Sequence, residues 1–134
     1  MISQADALRL LIQACPQIRA ELIKDVEDWL HEDGSLSAWM IFASASHYVA
    51  DQLFRGQVDA IAHVFEVVEK SLVEGTEDVK NAAATCFLEN LANREIDVRL
   101  YAPMLGKESL AYCRAWGAFT GRGTSDAREG ADGG

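Results

Sequence analysis

The chain has 134 residues and a formal net charge of −9, enough length for one domain whose apolar core needs no metal or disulfide to staple it. Hydrophobic residues at 49% and charged residues at 25% exclude wholesale disorder. The acidic balance disfavours phosphate backbones and anionic lipid surfaces, so neither nucleic acid nor membrane is an expected partner, whereas a basic protein is.

Helical periodicity governs the elements from the start. Ser3 followed by Asp6 reads as a capping box, and Leu8, Leu11, Ile12 and Cys15 then fall on one helical face. Pro16 breaks or restarts that helix. A second helix places Ile18, Leu22, Val26, Trp29 and Leu30 on one stripe and stops near Gly34. Ser35 or Ser37 caps a third, whose inner face is read as Trp39, Phe42, Ser46, Val49, Ala50 and Leu53. Because Met40, Ile41, Ala43 and Ala45 make this helix apolar nearly all round at its start, it is expected to be central, and Gly56 ends it.

A fourth helix is read from about Val58 to Glu74, with Val58, Ile61, Phe65, Val68 and Leu72 inward. Gly75 closes it and Thr76 caps a fifth, in which Glu77 and Asp78 complement the helix dipole. The run Ala82-Ala83-Ala84 allows a neighbouring helix to approach closely. Pro103 and Gly106 mark a loop with a short turn around Val98 to Tyr101. A last helix over Lys107 to Phe119 turns Leu110, Cys113 and Trp116 inward. Residues 121–134 contain five glycines and no large apolar side chain, so they form an expected disordered tail to a single helical domain at 1–120.

No segment alternates with period two, and the connections are short. The expected fold is therefore all-α, a compact antiparallel bundle of five to six helices. The pair Val58–Glu74 and Glu77–Ala92, with its Asp78-Val79-Lys80-x-x-Ala83 run, resembles one HEAT-like helix pair, a single unit rather than an array. The longest apolar-rich stretch, Leu36 to Ala50, is too short and too often interrupted to span a bilayer. The first six residues lack a basic leader region. Both point to the cytoplasm.

The chemistry-bearing residues read as structural. Cys15, Cys86 and Cys113 lie among apolar residues with no C-x-x-C spacing, as expected of buried reduced thiols. His31 shares a helical face with Glu27 and Asp28, but no second Glu-x-x-His pair accompanies it to form a di-metal centre. His47 precedes Asp51 by four residues, the spacing of a hydrogen bond along a helix, and His63 sits beside core positions. No nucleophile elbow, catalytic cysteine signature or phosphate-binding glycine loop occurs. The reading is of no catalytic residues, no metal and no cofactor, with a small-molecule ligand not expected.

The sharpest feature is an acidic run. Glu21, Asp25, Asp28 and Glu32 project from one helical face, with Asp33 beside them and Lys24 the one lysine in the stretch. These five carboxylates are the candidate partner-binding residues, against the alternative of a merely solvated face. Of the aromatics, Trp29, Trp39 and Trp116 are read as inward, and Tyr48 and Tyr101 as available at a contact surface.

The residues Val67-Val68-Glu69, Gly75, Asp78-Val79-Lys80-Asn81 and Phe87-Leu88-Glu89-Asn90-Leu91, followed by Leu105-Gly106 and Tyr112-Cys113-x-x-Trp116, resemble a family of small helical bacterial proteins of uncharacterised function. Its signature is Val-x-Asn followed by Phe-Leu-Glu-Asn-Leu. Proteins of this build are similar in type to bacterial toxin-immunity proteins. That resemblance implies a protein partner, such as a basic toxin domain, rather than a substrate. Two other readings remain: a helical adaptor or regulatory subunit of a larger complex, and an enzyme with a dispersed site.

Overall fold

A computed structural model describes residues 1–24 and 36–116. The described residues are all-α. Helix α1 spans Gln4–Ala14, and a 3-10 turn at Pro16–Ile18 leads into the short α2, Arg19–Ile23. Then follow α3 (Ala38–Phe54), α4 (Ala62–Glu74), α5 (Glu77–Ala82), α6 (Asn90–Ala92) and α7 (Lys107–Trp116). The later part of the second expected helix, with Val26, Leu30 and its stop at Gly34, lies outside the described residues, as do Phe119 and the glycine-rich stretch at 121–134.

The helix starts are written in local sequence. At α1 the Asp6 N–H donates to Ser3 Oγ at 3.2 Å while the Ser3 N–H donates to Asp6 Oδ2 at 3.1 Å, a full capping box. Ser37 caps α3 through the Met40 N–H at 3.3 Å, and Thr76 caps α5 through the Val79 N–H at 3.4 Å. Ser3→Ala should therefore cost about 1 kcal/mol in urea unfolding. A loss indistinguishable from zero would mean that α1 is held by packing alone.

Among the described residues, seven α-helical elements stand where five to six are expected, because the expected fifth helix, Glu77–Ala92, is divided into α5 and α6. Between α5 and α6 the helix widens into a π segment over Ala83–Glu89. This departs from the uniform helix implied by the HEAT-like reading. The π segment sits mid-molecule, packing most extensively on α3 and also touching α4 and α7. Ala83, Ala84, Cys86, Phe87 and Leu88 are all buried there, a set too wide for one face of a 3.6-residue turn. Such widening disturbs the regular backbone ladder, and the Asn90 carboxamide donates to the Cys86 carbonyl at 2.8 Å across it.

The core is one cluster that draws on every major helix. At its centre the Phe65 ring meets Phe87 edge-on at 5.6 Å and stacks on Tyr101 at 6.0 Å. Tyr101, read as a contact-surface residue, is thus a core plug, only 2% exposed. The 3-10 turns at Val98–Leu100 and Ala102–Met104 swing it inward. Three other readings are corrected. Helix α4 begins at Ala62, not Val58. Trp39 is 52% exposed and Trp116 40% exposed, not inward. On α3 the buried arc runs through Ala38, Ile41, Phe42, Ala45, Val49, Ala50 and Leu53, turned away from Trp39. A helix start that is apolar all round carries no phase, and the small Ala38 and Ala45 are what close helix packing selects.

The N-terminus is tied down by a short parallel bridge. The Ile2 N–H donates to the Glu74 carbonyl at 2.8 Å, and the Thr76 N–H donates to the Ile2 carbonyl at 2.9 Å. No described helix is long and apolar enough to cross a membrane.

Candidate partner-binding surface

Of the five carboxylates read as partner-binding, Glu21 lies on α2, half-buried, and pairs with Lys24 at 3.3 Å. Asp25, Asp28, Glu32 and Asp33, together with Trp29 and His31, lie outside the described residues. Helix α2 packs against α3, so Glu21 stands beside the helix that carries the largest exposed apolar residues of this part of the fold. Trp39 and Met40, adjacent in the first turn of α3, are 52% and 38% exposed. From Met40 the solvent side of α3 continues at helical spacing through Ser44, His47 and Asp51 to Phe54, which is 65% exposed.

His47 is exposed and does not hold Asp51 as its spacing suggests. Asp51 pairs with Arg55 instead, at 3.2 Å, because a guanidinium one turn on is the stronger competitor for a carboxylate. His63 is exposed, beside the buried Val64 and Phe65, and meets Glu66 at 3.2 Å. Toward the other end of α3, Tyr48 and Gln52 line a cavity of about 550 Å³ together with Gln57 and Asp59. Burial pushes the Tyr48 phenol above its usual value, aided by the Cys15 thiol beside it.

Two partly buried polar clusters between helices have no local sequence signal. The first joins α4 to α7. The Glu69 carboxylate accepts from the Glu108 N–H, the Ser109 N–H and the Ser109 hydroxyl, each at 2.9 Å. It thereby caps the N-terminus of α7 from another helix. Burial pushes the Glu69 carboxyl up, but these three donors outweigh it and hold the group below its ordinary value. Gly106 makes room for the arrangement, since a Cβ there would collide with the Glu69 side chain. The second cluster joins the π segment to α7, where the Tyr112 hydroxyl donates to Glu89. Burial, then that carboxylate, raises the Tyr112 phenol to about 12.

Both clusters brace helices. A carboxylate whose oxygens are occupied by fixed backbone donors, and a phenol held protonated by its acceptor, are poor proton-transfer groups at neutral pH. The three cysteines are free and buried. Burial raises both Cys86 and Cys113 to about 11, with the Glu89 charge adding to the effect at Cys86. They remain thiols at neutral pH and are weak nucleophiles. Among the described residues no group of three or more His, Cys, Asp or Glu side chains is placed to hold a metal ion.

The architecture is thus that of an all-α domain in which half-buried carboxylates brace helices and α3 keeps an open side. The chain belongs to the family described as a domain of unknown function, DUF7674, whose model matches residues 8–119. Neither the curated proteins nor the solved structures yield a match.

Proposed function

We propose that this chain is a protein-binding domain of the bacterial immunity type, which binds and neutralises a basic toxic protein in the cytoplasm. The observation that carries the reading is the exposure of Trp39 and Met40 on α3 in a chain of net charge −9. Tryptophan is enriched at the desolvated centres of protein interfaces, and methionine adapts to a partner's surface. The acidic run from Glu21 to Asp33 ends just ahead of Ala38 and Trp39 in the chain, so carboxylates and an apolar anchor stand close together in sequence. Opposite charge on the partner would speed encounter, and the apolar anchor would slow release. The same charge disfavours pairing of two copies of this chain.

The test is affinity capture of the tagged protein from its native cells in moderate salt. The expected product is one basic protein in stoichiometric amount, whose affinity falls at least about tenfold on Trp39→Ala. Because Trp39 is half in solvent, that variant should keep the stability of the parent to within about 0.5 kcal/mol. Capture of an acidic protein, or of a basic one indifferent to Trp39→Ala, would remove the support for this face.

A further inference from the structure

The cavity at the end of α3 has a chemistry of its own. Gln17 from the 3-10 turn, Tyr48 and Gln52 from the last turns of α3, and Gln57 and Asp59 from the turn beyond it line a space of about 550 Å³. Gly56 makes the turn possible. Its φ of 72° is left-handed, and the Gly56 and Gln57 N–H groups donate back to the Leu53 and Gln52 carbonyls at 3.1 and 2.9 Å. This fold-back sets Gln57 and Asp59 beside the carboxyl end of a 17-residue helix, where the backbone itself carries partial negative charge. The buried Cys15 thiol joins two of the other lining residues, lying 3.5 Å from Gln17 Oε1 and 4.0 Å from Tyr48 Oη.

Three carboxamides, one carboxylate and one phenol therefore line the space, and among the described residues no lysine or arginine does. Arg55, which follows α3 directly, is held by Asp51 instead. A space so equipped repels anions and offers hydrogen-bond acceptors to a cation. A guanidinium fits better than an ammonium, because it is planar, carries five donors in a fork, sheds water more readily and stacks on an aromatic ring such as Tyr48.

We propose that this cavity receives the guanidinium of an arginine side chain presented by a basic protein partner. The proposal rests on the protein-binding reading above and names the side chain that this end of α3 would recognise. The probe is N-acetyl-arginine methylamide, titrated into the full-length protein and followed by the backbone and carboxamide NMR signals. Saturable shifts are expected at Gln17, Gln52 and Gln57. The neutral isostere N-acetyl-citrulline methylamide should produce none, and N-acetyl-lysine methylamide should bind more weakly than the arginine probe. Asp59→Asn, a change at an exposed turn position that leaves the rest of the spectrum in place, should weaken the arginine probe about tenfold.

Absence of saturable shifts overturns the proposal, as does equal binding of the citrulline or lysine probe or indifference to Asp59→Asn. The outcome is independent of the partner-capture experiment. A chain that captures a basic protein through Trp39 yet ignores the arginine probe would lose this site and keep the function. A chain that binds the probe but captures no basic protein would lose the function instead.

Discussion

Gly75→Ala is expected to destabilise the protein by about 3 kcal/mol, the upper part of the range for forcing extra volume into a packed site. The cause is space and not backbone conformation, since Gly75 has an ordinary φ of −74°. A Cβ at this buried position would collide with the Ser71 carbonyl oxygen and stand 2.7 Å from Val79 Cγ1. The first neighbour is backbone and accepts the Gly75 N–H at 2.9 Å, so relief requires the end of α4 to open. The second is a fully buried core side chain at the start of α5. Any shift also loosens Ile2, which bridges to the same segment. Gly56 provides the contrast, because its φ is left-handed and nothing lies within 4 Å of the place where a Cβ would stand. Asparagine tolerates the left-handed region, so Gly56→Asn should be nearly neutral while Gly75→Asn should be at least as damaging as Gly75→Ala. Urea unfolding of these variants checks this, and equal tolerance of asparagine at both positions would contradict it.

The second large effect is expected at the Glu69 clamp. Glu69→Ala removes a charged acceptor from three donors at once, two of them backbone groups at the start of α7. A loss of about 2 kcal/mol follows from the magnitudes of capping and of hydrogen bonds to charged groups. Gly106→Ala should cost a similar amount by a different route. Its Cβ meets the Glu69 side chain rather than backbone, so the carboxylate swings away and the cap is lost. In the Glu69→Ala background the collision is gone and Gly106→Ala should cost little. A double-mutant cycle in urea should therefore show strong non-additivity, and additive losses would mean that Gly106 serves some other purpose.

The clamp also has a pH signature. The Glu69 carboxyl is held below the ordinary glutamate value of 4.5 in the fold. Its contribution is therefore present above that value and is lost as pH falls through the lower folded one. The stability difference between the parent and Glu69→Gln should be full at neutral pH and shrink below about pH 4.5.

The fold is legible in sequence where the signal is local. Ser3, Ser37 and Thr76 cap their helices as their positions suggest, because a cap is decided within a few residues. Gly56 ends α3 for the same reason. What escapes depends on partners distant in sequence. Glu69 and Ser109 are 40 residues apart and Glu89 and Tyr112 are 23 apart, and nothing in either neighbourhood announces the other. Tyr101 lies in a segment without helical periodicity, and only the fold shows that its ring stacks on Phe65. The π segment has no composition of its own, since Ala-Ala-Thr-Cys-Phe-Leu-Glu would serve an α-helix equally well.

The candidate surface is legible in part. The acidic run is visible as charge, and Glu21 is placed beside α3. Trp39 reads as inward in the sequence because a helix start apolar on every side has no phase from which to locate its open face. The cavity beyond Gly56 joins residues from three segments of the chain, so Gln17 and Asp59 share no common pattern in the sequence.

The central claim, neutralisation of a basic toxic protein, is tested most directly by co-expression. The captured partner is expressed alone, with this chain, and with the Trp39→Ala variant at matched protein levels, and growth is followed. The account predicts that the partner alone arrests growth, that this chain restores it, and that Trp39→Ala restores it less. A captured partner that is harmless alone, or whose toxicity this chain leaves untouched, would contradict it.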